Sequence, residues 1–292
     1  MSNRAQPRVS EDDINALRTG FRGDVLAPID EGYEEARSIW NAIFDKQPAV
    51  IARPLGAGDV MAAVRFAREQ DLEISIRGGG HHVAGHAVTD GGMMIDCSAM
   101  KSVRVDPEQR TVWVETGALL HDVDVETQAH GLVLPGGFIS LVGIAGLTLG
   151  GGIGYLSRAL GLTIDNLRTV EMVTAKGEFV TASESENPDL FWALRGGGGN
   201  FGVVTSFEYR LHPVGHEVMF AAPIYPLAAA REILPRWREF VTNAPEEVSA
   251  EAVFWSIPEV PDFPPEVHGE PVVVLPAMHC GAVEEGQRVL QP

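Results

Sequence analysis

The sequence predicts an α+β fold, and three observations carry that prediction. A strand–helix–strand run opens the first half: Ala49-Val50-Ile51-Ala52 and Glu73-Ile74-Ser75-Ile76-Arg77 bracket a segment with Val60, Ala63, Val64 and Ala67 at helical spacing. Two strand pairs are each closed by a turn, at Asp106-Pro107-Glu108 and at Lys176-Gly177. A long strand then runs from Gly202 to Leu211, after which the texture of the chain changes.

Taken in order, residues 1–20 read as a polar arm with one short helix from about Glu11. Pro48 and Pro54 bound the first strand, a helix covers Asp59 to Glu69, and the next strand opens directly into Gly78-Gly79-Gly80-His81, so that the three make a β-α-β unit. Met93 to Asp96 is a further apolar strand, and Val103 to Val105 with Val112 to Glu115 form the first hairpin. Asp122 to His130 is helical and stops at Gly131. A glycine-dense stretch follows, from Gly136 to Gly154. Thr169 to Thr174 and Phe179 to Thr181 make the second hairpin, and Pro188 to Leu194 is a short helix running into Gly196-Gly197-Gly198-Gly199. Beyond Pro213 come one strand, a helix over about Leu227 to Thr242, two strands and the start of a helix. The expected domains are an N-terminal arm with short helices (1–46), a main α+β domain (47–215) and part of a second domain (216–292).

The 292 residues suffice for one large domain or two modest ones, each with a real core. A hydrophobic share of 45% with 21% charged residues is ordinary for a soluble globular chain. The net charge of −18 argues against nucleic acid or an anionic membrane as partner, since both call for a basic surface. It leaves room for a phosphate-bearing ligand, because backbone N–H groups hold phosphate without any Lys or Arg. Cys97 and Cys280 imply no disulfide framework and form no CxxC pair. Met1 to Asp13 lacks the apolar core of a secretory signal, and no apolar run is long enough to span a bilayer, so a cytoplasmic location is expected.

Chemistry points to three glycine-rich stretches. In Arg77-Gly78-Gly79-Gly80-His81-His82-Val83-Ala84-Gly85-His86, three glycines directly after a buried strand can turn their N–H groups toward an anion with no side chain in the way; the plainer alternative is a tight turn between strands. His81, His82 and His86 also admit a zinc reading, but the spacing is not HExxH and no Cys or carboxylate lies close in sequence, so no metal is expected. Gly143 to Gly154 combines small residues with no charge. It suits either a flat ring or ribityl chain, or a close helix–sheet contact. The third stretch, Gly196 to Gly202, formally matches the dinucleotide fingerprint through Gly197, Gly199 and Gly202. It fails the order that the fingerprint requires, because a helix precedes it and a β-rich run follows. There is no GxSxG elbow, and the carboxylate pairs Glu184/Glu186 and Glu246/Glu247 read as solvated surface, so no catalytic acid, base or nucleophile is assigned.

Taken together, ordered motifs between about Gln47 and Pro213 resemble those of the PCMH-type FAD-linked oxidases, the family of vanillyl-alcohol oxidase and berberine bridge enzyme. They are Arg77-Gly78-Gly79-Gly80-His81, Gly91-Gly92-Met93-Met94-Ile95-Asp96, Val105-Asp106-Pro107, Gly146 to Gly154, Gly161-Leu162 with Asp165-Asn166, Leu190 to Gly197, and Asn200 to Thr205. The nearest likeness is to bacterial members such as 6-hydroxy-D-nicotine oxidase.

The resemblance implies FAD as cofactor, with its pyrophosphate on the first loop and a histidyl bond from His81 to the flavin 8α carbon. Cofactor contacts are implied for Arg77, Gly78, Gly79, Gly80, His81, His82 and Gly85, for Ser140, Val142, Gly143, Gly146 and Gly150, and for Asn200, Gly202 and Val204. Some members carry a second link from cysteine to the flavin C6; Ile139 stands at the matching position, so no 6-S-cysteinyl link is expected. Val83 stands where plant members place a substrate-side Tyr. The implied activity is oxidation of a small organic substrate by hydride transfer to the flavin, with dioxygen as reoxidant; the flavin does the redox chemistry and the protein places and tunes it. Family members continue beyond the point at which this chain stops, so an incomplete antiparallel substrate-binding sheet with helices is expected. The alternative is a flavin-binding remnant without turnover.

Overall fold

A computed structural model describes residues 9–291; the part of the polar arm expected over residues 1–8 lies outside them. The fold is mixed α+β, and the described residues group into two compact units. One runs to Ile153 and resumes over Thr163–His212; the other comprises Gly154–Leu162 and the residues from Pro213 onward.

The first unit opens with α1 (Glu11–Gly20), whose N-terminus is capped by Ser10 accepting from the Asp13 N–H, and which buries Ile14 and Leu17. Next come β1 (Asp24–Leu26), α2 (Tyr33–Arg37), β2 (Val50–Arg53), α3 (Ala57–Glu69), β3 (Ile74–Arg77) and β4 (Met93–Asp96). These strands form a four-stranded sheet in the order β1-β2-β4-β3. The β-α-β expectation needs correction on this point: β2 and β3 run parallel but are not neighbours, because β4 inserts between them and pairs with both. The unbroken apolar runs of β2 and β4 follow from burial on two faces. Val50, Ala52, Met93 and Ile95 pack with α1 and α3, whereas Ile51 and Met94 pack with Tyr33, Ala36 and Val88 on the other side.

The remainder of this unit comprises β5 (Val103–Asp106), β6 (Thr111–Glu115), α4 (Leu120–Gln128), β7 (Leu132–Val133) and α5 (Ile144–Leu149). After the excursion that carries α6 (Ser157–Leu160) come β8 (Leu167–Val173), β9 (Phe179–Ser183), α7 (Pro188–Leu194) and β10 (Val203–Arg210), with β11 (His212–Pro213) at the boundary. Both expected hairpins form, β5–β6 and β8–β9. The long strand β10 runs antiparallel between them, giving the five-stranded order β5-β6-β10-β8-β9. Helices α4, α5 and α7 cover one apolar face of this sheet. There the Thr148 hydroxyl meets the Tyr209 hydroxyl at 2.8 Å, both residues buried, and burial pushes the Tyr209 phenol far above its ordinary pKa. Tyr209→Phe strands the Thr148 hydroxyl away from water. It is expected to cost about 1–2 kcal/mol, read as a lower urea midpoint at unchanged slope.

The second unit holds α6 and the elements β12 (Met219–Ala221), β13 (Ile224–Pro226), α8 (Ala230–Asn243), β14 (Val248–Ala250), β15 (Val253–Ser256), β16 (Pro271–Val274), β17 (Ala277–His279) and α9 (Val283–Val289). Its strands form two three-stranded sheets, β12-β17-β14 and β13-β16-β15, all antiparallel. Six strands thus stand where the sequence reading had three. Arg158 secures α6 within this unit by donating to the carbonyl oxygens of Val248 at 2.7 Å and Ala244 at 3.2 Å.

Candidate cofactor site

The parallel strands β2, β4 and β3 end side by side, with Ala52 opposite Ile95 and Arg77 opposite Asp96. Loops leaving the carboxyl ends of parallel strands are where ligands gather in open α/β sheets. Asp96 is buried there, with Oδ2 3.3 Å from Arg53 Nε and Oδ1 3.7 Å from Arg77 Nε. Arg77 also donates to the Ala36 carbonyl at 2.7 Å. Its guanidinium is therefore committed to the root of the glycine loop, where it packs beneath Gly80.

Above this root the loop offers backbone donors. Among the described residues, the N–H groups of Gly79, Gly80, His81 and His82 have no protein acceptor. Gly80 is buried, Gly79 and His81 are half-buried and His82 is exposed, so the run is open to a ligand or to water. Gly80 adopts φ 72°, the left-handed region that turns consecutive N–H groups to one side. The His81 ring is held from two directions. Its Nδ1–H donates to the Gly79 carbonyl at 2.8 Å, and Trp40 stacks on it with centroids 5.8 Å apart and planes inclined by 24°.

The second stretch lies directly against the first. A Cβ on Gly79 would fall 2.6 Å from Gly143 Cα, and one on Gly143 would fall 2.7 Å from Gly79 Cα, so two backbones meet where neither tolerates a side chain. From Gly143 the chain enters α5, a helix that the sequence reading left undivided within the glycine-dense run. The two readings of this run share it: Gly143 makes the close contact, while the Cβ direction of Gly146 meets nothing within 4 Å. Gly150 is exposed at the end of α5; Val142 is half-buried and Ser140 exposed, their carbonyls accepting from Leu120 N and His121 N.

The third stretch joins at the far end of α5, where Gly198 N donates to the Leu149 carbonyl at 3.1 Å. Asn200 folds back onto the Gly197 carbonyl at 2.7 Å. Gly202, at φ 142°, begins the approach to β8, and the Val204 side chain is buried in the core, which leaves only its backbone for a ligand. A hydrogen bond from Thr116 N to the Thr205 carbonyl links this strand back toward Gly78, which lies beside the Thr116 carbonyl. The structure thus brings all three glycine stretches into one constellation.

The three nearby histidines separate by role. His82 accepts from Ala84 N and faces His86 at 4.6 Å, and burial followed by the charge of His86 holds its pKa below the ordinary imidazole value. His81 turns instead toward Gly79 and Trp40. Among the described residues no three His, Cys, Asp or Glu side chains gather as a metal-binding group.

Sequence reasoning missed residues 40–46, which clasp the loop. Trp40 N donates to the Gly80 carbonyl at 3.2 Å, and Asn41 Nδ2 to the Val83 carbonyl at 2.7 Å. The Phe44 ring occupies the space where Gly85, at φ 67°, has no Cβ. Lys46 Nζ donates to the carbonyls of Gly85 and Val88 at 3.3 and 3.1 Å. No periodicity marks this segment.

These features suit a ligand carrying phosphate and a flat ring: free N–H donors, backbone contacts no side chain can enter, and open space over Gly146, Gly196, Gly198 and Gly199. Comparison with known proteins agrees. Residues 48–183 match the model of a family described as FAD binding domain. The chain is 37% identical over 281 residues to an FAD-linked oxidoreductase of Dictyostelium discoideum, covering 95% of this chain and 58% of that protein. It is 39% identical over 204 residues to (R)-6-hydroxynicotine oxidase of Paenarthrobacter nicotinovorans, covering 70% of this chain and 44% of the relative. The crystal structure of 6-hydroxy-D-nicotine oxidase from Arthrobacter nicotinovorans superposes with a TM-score of 0.84 at 32% identity, over 92% of this chain and 58% of that one. The chain thus spans about half the length of the curated relatives it matches. The domain built on these glycine loops, residues 48–183, belongs to the PCMH-type FAD-binding family, and the chain is similar to FAD-linked oxidoreductases along most of its length.

Proposed function

We propose that this chain binds FAD across the three glycine stretches, with His81 as a covalent tether to the flavin 8α carbon, and serves as an oxidase of a small organic substrate. One observation carries the reading: four successive N–H groups, Gly79 to His82, that meet no protein acceptor among the described residues, at the carboxyl edge of a parallel sheet. Those N–H groups would donate to the pyrophosphate oxygens, a task suited to backbone in a chain of net charge −18. Gly78 and Gly143 would hold these donors in place by letting backbone meet backbone, while Gly146, Gly150, Asn200 and Gly202 would border the cofactor. When bound, FAD would accept hydride from the substrate and pass its electrons to dioxygen.

The tether is proposed to be single. Ile139 offers no sulfur, and Cys97 is fully buried with its thiol pushed up by burial and by Asp96, so it supplies no thiolate. Purified protein should show flavin absorbance bands, and acid precipitation should leave the colour with the pellet. A colourless chain that takes up no FAD on reconstitution refutes the reading. Peroxide formed when candidate donors, 6-hydroxynicotine among them, are supplied together with dioxygen then tests the oxidase step.

A further inference from the structure

We infer that Trp40 is a positioning residue that holds His81 for attachment to the flavin; the inference rests on the FAD reading given above. Trp40 is 65% exposed and joins none of the buried apolar clusters, so the core does not explain it. What Trp40 does touch is specific. Its ring lies nearly parallel to the His81 imidazole at 5.8 Å, and its backbone N–H is bonded to Gly80, the residue that precedes the histidine. The Nδ1–H bond to Gly79 fixes the imidazole edge but leaves its two faces open to rotation about the side chain. Trp40 closes one face, so the ring is presented on the other. Asn41, Phe44 and Lys46 secure the loop on the far side, at Val83, Gly85 and Val88, so the clasp acts on both sides of His81.

The role differs from cofactor binding. No hydrogen bond from the Trp40 indole to the loop is part of it, and the ring acts only through His81. A stacked aromatic contact of this size corresponds to a population ratio of roughly 2- to 10-fold between the held and released ring. Trp40→Ala should therefore slow the appearance of acid-stable flavin by about that factor when the full chain is incubated with FAD. Trp40→Phe should restore most of the rate, and the urea midpoint should be unchanged in both variants.

A second readout needs no cofactor. In the chain without FAD, the indole stacked on the His81 ring should shift its Hε1 resonance upfield. Trp40→Ala should move that resonance downfield, the signal being assigned by its loss in His81→Ala. A wild-type tethering rate in Trp40→Ala overturns the inference. So does a loss of rate matched by a loss of stability, which would mark a merely structural residue. If the wild-type chain acquires no acid-stable flavin, the tether reading fails on its own account. The proton resonance then decides here: unmoved, it overturns the positioning role; shifted, it supports it.

Discussion

His81→Ala is expected to release all flavin colour into the supernatant on acid precipitation, while His82→Ala and His86→Ala keep it in the pellet. The three side chains lie within six residues but occupy different surroundings. His81 is fixed by the Gly79 carbonyl and by Trp40, within the run of free N–H groups. His82 is engaged with Ala84 N and turned toward His86. The His81 variant should still take up FAD, because the donors proposed for the pyrophosphate are backbone groups that the substitution leaves in place. Loss of one side-chain contact, about 1 kcal/mol, corresponds to roughly a 5-fold weaker affinity. Absorbance of pellet and supernatant, with equilibrium titration of FAD, measures both effects. Colour retained by His81→Ala, or lost from His82→Ala, would place the tether elsewhere.

The strands that cradle this loop were legible because their residues leave little choice. Val50 to Ala52 and Met93 to Asp96 are too apolar and too short for anything but buried strands, and the turn residues at Asp106-Pro107 and Lys176-Gly177 close hairpins by backbone geometry alone. The position of β4 between β2 and β3 was not legible. Order within a sheet is decided by tertiary packing, and the β-α-β pattern reads the same whether or not another strand inserts. Helix α5 was hidden because it is only six residues long and Gly146 inside it depresses helix propensity; packing of Ile144, Ala145 and Leu149 against the sheet overrides it. The clasp at residues 40–46 was hidden for another reason. Trp40, Asn41 and Lys46 act on backbone carbonyls of a loop some forty positions away, Phe44 packs its ring on Gly85, and no local pattern encodes such contacts. In the second unit, strands as short as Met219–Ala221 and Val248–Ala250 carry too few residues for an alternation to be recognised.

Two alanine substitutions separate the architecture of the site from its occupancy. At Gly79 the added Cβ would press on Gly143 Cα at 2.6 Å, and the obstacle is backbone, which cannot rotate aside as a side chain can. The two loops must part or the chain must strain. The expected cost is about 3 kcal/mol, at the upper end of what overpacking produces, with FAD uptake lost because the free N–H groups no longer face one way. Gly143→Ala should reproduce both effects, since its Cβ meets Gly79 in return. Gly146 has the opposite character. It lies inside α5, has no neighbour within 4 Å of its Cβ direction, and as alanine should stabilise the fold by up to about 1 kcal/mol. If the open space beside it is where the cofactor lies, Gly146→Ala should nonetheless weaken FAD binding, so that stability and affinity move in opposite directions. Urea midpoints and FAD titration on the same preparations test this. A Gly146→Ala chain that gains stability and keeps full affinity would remove α5 from the cofactor site, and a Gly79→Ala chain that folds and binds as wild type would show that the contact between the loops does not hold the site together.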